Sequence, residues 1–456
     1  MTQRSVAIVG AGPAGLYLGM GLARRGDRVT IVDRDAGPDQ DGGWTRKGVM
    51  QFLHPHYLRP QVRDALLAEL PDVADALVEA GAVLTPGMSA LPRPGWSGAA
   101  DPTDLLGYRV RRSVFERVLR QTAADEPGVS FSVGAAREVA QAGGVVHGVV
   151  VGDTVLEADL VIDASGRSGR FTDDLRAPAE GTDSGIAYAS RQYELLPGAE
   201  PGPFNSPPGW RGVLDGYFAS IFYQDARTFQ ILYVRAAADK ALAHLRDSEI
   251  FDKVSLSIPG LQDWISPDRA KPVLPAMSGA GLYDHYRRPV PAKGSASMAG
   301  ILWLGDAVVT TNPAEGRGVT TALLQAQQLL AILDDHGSDY VAVSERFDHW
   351  CQDNMRPWVM DHIHRDTSLL ARWRGEPIDL SQRLPSDLVC AVAEVEPSLI
   401  PAIDDYLDMR ERPDVLDEAE PIARKRYQAG FRPKVSAGPT RDEVADMIER
   451  HLAVAG

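Results

Sequence analysis

A short apolar strand that runs directly into spaced glycines opens this chain and constrains its fold more than any other feature. Residues 6–9 are apolar, glycines stand at Gly10, Gly12 and Gly15, and a helical apolar pattern follows. A second apolar strand ends on Asp33, about 20 residues after the glycines, which is the spacing of dinucleotide-binding βαβ units. The pattern therefore predicts a nucleotide-binding domain built on a parallel sheet.

Each of these residues has a chemical reason to stand where it does. Gly10 allows a tight turn, Gly12 lets the backbone approach a pyrophosphate, and Gly15 lets the helix pack closely on the strand. The helix N-terminus offers free N–H groups to phosphate oxygens. The Asp33 carboxylate can accept a hydrogen bond from a ribose 2′-hydroxyl. Taken without the strand, the helix and Asp33, the three glycines could also form a turn that binds no ligand.

The bulk composition argues against several classes of partner. A chain of 456 residues is long enough for two or three domains. Its net charge of −15 argues against nucleic acid and against an anionic membrane surface. Cys351 and Cys390 form no Cys-x-x-Cys pair, so no disulfide framework or cysteine metal site is expected. No apolar run suits a membrane span and no signal peptide is evident, so we expect a cytoplasmic protein.

Hydrophobic patterning divides the rest of the chain. Alternating apolar and polar residues over 185–290 indicate an antiparallel sheet, and the pattern is mostly helical from residue 341. The predicted fold is α/β: a Rossmann-like nucleotide domain with an inserted antiparallel β-sheet domain and a C-terminal helical region. The predicted boundaries are 1–75, 104–180 and 296–340 for the nucleotide domain, 76–103 and 181–295 for the sheet domain, and 341–456 for the helical region. Locally, we expect a helix over 60–81, a loop over 82–104 and a helix near 238–254.

A second glycine-containing motif follows the last predicted strand of the nucleotide domain. That strand ends in Gly305 and Asp306, and a loop through Pro313, Gly316 and Gly318 leads into an apolar helix. The Asp306 carboxylate can accept hydrogen bonds from a polyol, and the helix directs its positive end toward the loop. A loop with a capping acid is the alternative, but one dinucleotide held at both ends accounts for both motifs.

These motifs resemble those of the flavin-dependent monooxygenases of the p-hydroxybenzoate hydroxylase type. That family carries an N-terminal Gly-x-Gly-x-x-Gly, a middle Asp-Gly or Asp-Ala-Ser-Gly motif, and a late Gly-Asp…Pro-x-x-Gly-x-Gly. All three occur here in that order, with the middle motif running from Asp163 through Gly166 to Arg170. The resemblance covers roughly residues 1–340 and implies that the nucleotide domain binds FAD.

The resemblance also implies roles for individual residues. Asp33 would bind the ribose of the FAD adenosine, Asp306 would contact the ribityl chain, and the backbone of 313–318 would lie under the isoalloxazine. Arg112 matches the family arginine near the phosphates, and Arg46 is a second candidate there. The residues expected to bind the cofactor are Gly10, Gly12, Ala14, Gly15, Asp33, Arg34, Arg46, Arg112, Asp163, Gly166, Gly305, Asp306, Pro313, Gly316, Gly318 and Val319.

Residues 46–58 are similar to a segment of bacterial polyether epoxidases and related natural-product oxygenases. In both, a Gln and a His-x-His precede a helix, here as Gln51, His54 and His56. The histidines could touch the flavin edge, relay a proton or serve in packing, and a His-x-His without a third ligand does not predict a metal site. The candidates for positions near the flavin are His54, His56, Pro313 and Gly316.

The resemblance implies a monooxygenase that uses reduced FAD and O₂, through a C4a-hydroperoxide, to epoxidise or hydroxylate a hydrophobic small molecule in bacterial secondary metabolism. NADPH, NADH or a partner flavin reductase would supply electrons. A saturase or desaturase and a non-catalytic carrier are the alternatives, while a halogenase is disfavoured because W-x-W-x-I-P and an evident halogenase lysine are lacking. The expected pocket residues of the sheet domain are Tyr217, Phe218, Phe222, Tyr223, Phe229 and Tyr233.

Overall fold

The computed structural model describes residues 3–39, 43–88, 105–292 and 298–455. The strands are β1 (Ser5–Val9), β2 (Arg28–Asp33), β3 (Val83–Pro86), β4 (Leu106–Arg109), β5 (Val129–Val133), β6 (Ala136–Ala142), β7 (Val145–Val151), β8 (Thr154–Glu157), β9 (Leu160–Asp163), β10 (Glu180–Asp183), β11 (Ile186–Leu195), β12 (Gly209–Leu214), β13 (Tyr217–Tyr223), β14 (Thr228–Ala236), β15 (Ala270–Pro272), β16 (Met277–Gly279), β17 (Tyr283–Tyr286), β18 (Ile301–Trp303) and β19 (Val309–Thr310). The α-helices are α1 (Pro13–Arg24), α2 (Pro60–Glu69), α3 (Pro71–Glu79), α4 (Arg112–Asp125), α5 (Ser248–Leu256), α6 (Pro259–Ile265), α7 (Gly318–His336), α8 (Tyr340–Asn354), α9 (Arg356–Trp373), α10 (Ser386–Ala391), α11 (Ile400–Leu407), α12 (Glu420–Gln428) and α13 (Arg441–Ala455).

A five-stranded parallel sheet forms the centre of the first domain. Its order is β18–β9–β1–β2–β5, and each neighbouring pair runs parallel. Strand β9 is buried along its whole length, as expected where both faces of a parallel sheet are covered. Helix α1 packs against β2, α4 and α7. The carboxyl ends of the five strands therefore share one edge, which is where open α/β sheets bind ligands.

Glycines on the buried helix α1 allow close contacts with its surroundings. A Cβ added at Gly15 would lie 2.0 Å from the carbonyl oxygen of Gly10, and one at Gly21 would lie 2.6 Å from Leu330 of α7. Both separations are shorter than any van der Waals contact, so a larger residue would force the helix away. These glycines thus determine how closely α1 approaches the turn after β1 and the neighbouring helix α7.

The second domain is built on a sheet of order β12–β13–β14–β11–β15, with β16 also pairing to β11. Its pairings are antiparallel, and successive side chains point to opposite faces. One face of this sheet, here called the far face, packs against α5, α6 and α13. Their shared core includes Ile231, Trp264 and Ile448. The near face packs toward the first domain, where Leu232 and Val234 belong to a smaller apolar cluster.

The C-terminal region is helical and packs in three places. Helix α8 adds Val343 and Phe347 to the core of the first domain. Helices α9 to α12 share a separate core that includes Trp358 and Tyr427. Helix α13 packs on the far face of the second sheet, partly through Val444. Among the described helices, none combines the length and apolar character needed to cross a bilayer.

The α/β class, the inserted antiparallel sheet and the C-terminal helices are confirmed, while three local expectations are corrected. The helix predicted over 60–81 is divided in two, because Pro71 cannot continue α2 and begins α3. The predicted loop contains strand β3, and its residues 89–104 lie outside the described part. The helix near 238–254 begins only at Ser248, where the Asp247 side chain caps it. The domain boundaries stay predictions.

We predict that Gly15→Ala destabilises the apoprotein by about 1–3 kcal/mol, because the added methyl overlaps the Gly10 carbonyl oxygen and displaces α1. Urea unfolding followed by circular dichroism measures this change. Gly12→Ala is the matched control, since a Cβ there meets no heavy atom within 4 Å. Equal stability of the two variants would contradict the close packing described for Gly15.

Candidate active site

A cavity of about 870 Å³ opens at the carboxyl edge of the parallel sheet. Its walls come from segments that follow β1, β2, β5, β9 and β18, so distant parts of the chain meet there. The volume lies within the range of small-molecule and cofactor sites. The predicted cofactor residues in its lining are Gly10, Gly12, Ala14, Asp33, Arg34, Arg46, Arg112, Gly166, Gly305, Asp306, Pro313, Gly316, Gly318 and Val319.

The first glycine turn presents bare backbone to this cavity. Gly10 has a φ of +118°, and a Cβ there would lie 2.2 Å from the carbonyl oxygen of Ala164, so only glycine fits. Gly12 precedes α1, which no side chain caps, and a Cβ at Gly12 would point into open space. The first N–H groups of α1 are therefore available to an anionic ligand. Gly15 packs behind this turn instead of lining the cavity.

The Asp33 carboxylate lies at the end of β2 and borders the cavity. Its Oδ2 accepts a hydrogen bond of 2.7 Å from the Ala11 N–H, and its Oδ1 accepts one of 2.9 Å from the Asp35 N–H. Arg46 Nη2 donates to Oδ2 at 2.9 Å. Because each carboxylate oxygen has about two acceptor sites, capacity remains for a ribose hydroxyl.

Arg46 lies in the cavity wall, but its guanidinium is engaged by carboxylates. Besides Asp33, it contacts Glu116 at 2.6 Å, and only 4% of its side chain is exposed. Burial lowers the pKa of Arg46, but the charges of Glu116 and Asp33 outweigh burial and raise it. Arg46 was expected near the phosphates, and in the structure its guanidinium supports Asp33.

A chain of hydrogen bonds holds Arg112 at the cavity. Its Nε donates to Glu116, and its Nη1 lies 3.3 Å from His56 Nε2. His56 Nδ1 lies 2.9 Å from the His54 carbonyl oxygen, so Nδ1 carries the proton and Nε2 accepts from Arg112. Burial, assisted by the Arg112 charge, lowers the pKa of His56 to about 3. His56 is therefore a neutral group that orients Arg112.

His54 is buried and connects this segment to the second domain. Its Nδ1 lies 2.7 Å from Ser190 Oγ, and its ring meets Tyr188 edge-to-face with centroids 4.7 Å apart. Burial lowers the pKa of His54 to about 4, which keeps the ring neutral. Gln51 lines the cavity and donates to the Tyr188 hydroxyl at 2.5 Å. Tyr188 and Ser190 were not predicted as site residues. The alternation of side chains along β11 puts both on the same face of the sheet, but it does not say which face turns toward the cavity.

The late motif supplies a carboxylate and a second helix N-terminus. Burial in the cavity wall raises the pKa of Asp306, against the opposing charges of Arg112 and Arg167. Gly316 has a φ of +63°, and a Cβ at Gly316 or Gly318 would meet no heavy atom within 4 Å. Helix α7 begins at Gly318 without a side-chain cap, so its first N–H groups are free for a ligand.

The middle motif shapes the turn after β9. Asp163 is 2% exposed, and its carboxylate accepts hydrogen bonds from the backbone N–H and hydroxyl of Ser165 and from the hydroxyl of Thr172. Gly166, with a φ of +76°, follows at the cavity wall. Asp163 was expected among the cofactor-binding residues, but its carboxylate is used by the turn and does not line the cavity.

Three basic residues that were not among the predicted cofactor residues also line the cavity, namely Lys47, Arg167 and Arg170. Together with Arg34 and Arg112 they make the wall basic in a chain whose net charge is −15. A basic wall favours an anionic ligand such as a diphosphate. Arg167 and Arg170 belong to the middle motif and Lys47 to the segment 46–58, but only the fold brings the three to one cavity.

The predicted pocket aromatics divide between the two faces of the antiparallel sheet. The far face carries Tyr217, Tyr223, Phe229 and Tyr233, and the near face carries Phe218 and Phe222. The far-face residues pack with α5, α6 and α13, away from the first domain. For Tyr217, Tyr223, Phe229 and Tyr233, the structure therefore agrees with the alternative of sheet core, and Phe218 and Phe222 stay pocket candidates. Strand alternation separates them, and the sequence does not say which face turns inward.

The near face forms an apolar layer beside the cavity. Phe218 contacts Trp373 at the end of α9, with ring centroids 5.3 Å apart. Met50 and Leu282 belong to both this apolar cluster and the cavity wall. The Gln230 side chain donates to the Leu53 carbonyl at 2.7 Å and joins the sheet to the segment that carries the histidines.

Comparison with known proteins connects this site to flavoenzymes. Residues 5–169 match the model of the "FAD dependent oxidoreductase" family. The NAD-dependent dihydropyrimidine dehydrogenase subunit PreT of Escherichia coli K12 is 44% identical over 69 residues. That alignment spans only 15% of this chain and 15% of PreT, so it concerns a segment and not the whole protein.

Solved structures extend the likeness to the whole fold. The flavin-dependent brominase Bmp2 has a TM-score of 0.61 at 17% identity, over 94% of this chain and 99% of that one. PqsL, a probable FAD-dependent monooxygenase from Pseudomonas aeruginosa, has a TM-score of 0.57 at 16% identity, over 82% and 98%. The halogenase CmlS has a TM-score of 0.61 at 18% identity, over 100% and 78%. Residues 5–169 thus match the FAD dependent oxidoreductase family, and the chain shares its overall fold with these three solved structures.

Proposed function

We propose that this protein is an FAD-dependent monooxygenase that epoxidises or hydroxylates a hydrophobic small molecule. One observation carries the proposal: the late glycine loop and the N-terminus of α7 meet the basic cavity beside the apolar near face. The loop offers bare backbone for a flat ring, and the near face offers a water-poor surface for an apolar substrate. The match of residues 5–169 to FAD dependent oxidoreductases supports the choice of cofactor.

The residues of the cavity fit FAD in charge and in shape. Asp33 would accept hydrogen bonds from the adenosine ribose, and the N-terminus of α1 with Arg112 would bind the diphosphate. Asp306 would accept hydrogen bonds from the ribityl hydroxyls. Gly12, Gly166, Gly316 and Gly318 leave space that any Cβ would enter, as close contact with a ligand requires.

When bound, FAD supplies the redox chemistry with O₂, and the protein supplies orientation, electrostatics and exclusion of water. The free N–H groups at Gly318 and Val319 would stabilise negative charge on the pyrimidine side of the ring. The apolar layer around Phe218 and Trp373 would keep water from the reacting atoms. The neutral His56, with both ring nitrogens engaged, would orient Arg112 and would not transfer a proton.

The near face favours a hydrophobic substrate. Phe218, Phe222, Leu232 and Val234 supply its apolar surface, and the Gln51–Tyr188 pair supplies polar groups at its margin. Burial raises the pKa of Tyr188 to about 12, so its hydroxyl stays protonated and can donate or accept a hydrogen bond. Epoxidation needs no protein acid or base of its own, which agrees with two histidines held neutral.

A saturase or desaturase on the same fold is the second candidate, because the same cavity would serve hydride transfer without oxygen insertion. The electron source is either NADPH or NADH acting directly, or a separate flavin reductase. Because residues 46–58 are similar to a segment of natural-product oxygenases, we also propose a role in bacterial secondary metabolism. A carrier that has lost the flavin is disfavoured, since the glycines and both carboxylates of the site are intact.

Two measurements test the function. Anaerobic mixing with NADPH or NADH should bleach the absorbance of the oxidised flavin if the protein takes hydride directly, whereas slow bleaching points to a partner reductase. Reaction under ¹⁸O₂ with a panel of hydrophobic alkenes and arenes should place one labelled atom in the product. Oxidised product without label would favour the saturase or desaturase and contradict the monooxygenase.

We predict that Gly12→Val weakens FAD binding by about tenfold or more, equivalent to about 1.4 kcal/mol or more, because its side chain enters the space of the diphosphate. Fluorescence titration of the apoprotein with FAD measures the change. The apoprotein should keep wild-type stability, since nothing lies within 4 Å of the added Cβ. Wild-type affinity in this variant would rule out a diphosphate at the first glycine turn.

Asp306→Ala should raise the dissociation constant for FAD by about 10- to 100-fold, because charged hydrogen bonds to the ribityl chain contribute about 1.5–3 kcal/mol. The matched variant Asp306→Asn retains an acceptor oxygen and should lose less affinity. Flavin occupancy after gel filtration provides an independent readout. Equal affinity of wild type and Asp306→Ala would contradict the placement of the ribityl chain.

A further inference from the structure

A group of buried charges lies directly behind the loop 313–318, on the side away from the cavity. Asp284 of β17 and Asp366 of α9 are at most 1% exposed, and a carboxylate oxygen of each lies within 4.8 Å of one of the other. Asn312, also buried, joins both of them to the loop. Its backbone N–H donates to Asp284 at 2.7 Å, and its side-chain amide donates to Asp366.

The loop is attached to this group at its first residues. The Asn312 side-chain oxygen accepts a hydrogen bond of 2.9 Å from the Ala314 N–H and so begins the turn at Pro313. The Glu315 carboxylate pairs with Arg365, which also contacts Asp366 at 3.0 Å. The Glu315 carbonyl accepts a hydrogen bond from Arg59. The conformation of the loop therefore depends on where Asn312 and Asp366 lie.

Two carboxylates can form a hydrogen bond only when one of them carries a proton. One oxygen of Asp284, Oδ2, has no hydrogen-bond donor in the described ranges unless it shares a proton with Asp366. Two ionised carboxylates at this distance and depth would repel each other strongly. We infer that Asp284 and Asp366 share one proton, and that this carboxyl pair positions the flavin loop through Asn312.

The surroundings support a single shared proton. Burial raises the pKa of Asp284 to about 6 and that of Asp366 to about 7, and the pair titrates as one unit. His362 lies beside the pair, but burial and the neighbouring arginines lower its pKa well below its usual range, so it stays neutral. The other charged groups that act on the pair are Asp183, Glu315 and Arg365, whereas Arg317 and Arg59 act on His362, whose Nδ1 lies 3.8 Å from Asp284.

The raised pKa values of Asp284 and Asp366 make FAD binding depend on pH. Because the native pKa values are raised, the pair keeps its proton at low pH and loses it to solvent as pH rises through about 7. The two carboxylates then separate and displace Asn312 together with the loop. Binding of FAD to the proposed site, on which this inference rests, should therefore weaken as pH increases.

The test is the dissociation constant of FAD between about pH 6 and pH 9. For the wild-type protein it should rise with pH, by at most about tenfold per unit, because one proton is released. The amide of Asp366→Asn can donate a hydrogen bond to Asp284, and the variant has the charge of the protonated pair. We expect its affinity to match wild type near pH 6 and to stay constant up to pH 9.

Asp239→Asn is the control, since Asp239 is a shielded carboxylate paired with Arg441 in the second domain. This variant should keep the wild-type pH dependence. A pH-independent wild type, or an Asp366→Asn variant that keeps the wild-type dependence, overturns the inference while leaving the proposed function intact. Failure of the wild type to bind FAD at any pH overturns the proposed function.

A measurement on the wild-type apoprotein decides the matter if Asp366→Asn does not fold. Infrared spectra in ²H₂O should contain the stretching band of a protonated carboxyl group near pH 6, and the band should vanish by about pH 9. Absence of the band near pH 6 contradicts the shared proton. A stoichiometric metal ion found by mass spectrometry of the wild-type protein would also contradict it, because the metal would replace the proton.

Discussion

The contact between Gly10 and the carbonyl oxygen of Ala164 is the constraint on which the cavity depends. It joins the turns after β1 and β9, two neighbouring strands, at a separation that excludes a Cβ. Since β18 pairs with β9 in parallel, the turn that carries Asp306 is brought to the same edge. Three motifs separated by more than 100 residues thereby form one wall, and the ligand site follows from sheet topology.

The second sheet provides two unlike environments because its side chains alternate. On β13 and β14, odd-numbered residues such as Ile231 pack against helices on the far face, and even-numbered residues such as Leu232 turn to the near face. One sheet thus serves as the core of its own domain and as one wall beside the cavity. Aromatic content alone does not separate these roles, as Tyr217 and Phe218 show.

The sequence alone predicts those helices and strands whose patterns lie within a short stretch of the chain. The first βαβ unit, β9 and the helix after the late motif end close to where their apolar runs and glycines predict. The roles of Arg46 and His56 were beyond prediction, because Glu116 and Arg112 approach them only in the folded chain. Lys47 and Arg167 lie in recognised segments, but a motif does not say which of its side chains will line the cavity.

The two sides of the late glycine loop, residues 313–318, face different electrostatic surroundings. Toward the cavity it offers the uncapped N–H groups of α7 and the open space at Gly316, which favour an anionic, flat ligand. Behind it, the carboxyl groups of Glu315 and Asp366 pair with Arg365 and thereby anchor the loop to α9. Because the rear contacts are buried and the front ones are open, the loop can be ordered before any ligand arrives. Binding then requires little rearrangement, which is the condition under which fixed N–H dipoles stabilise charge most effectively.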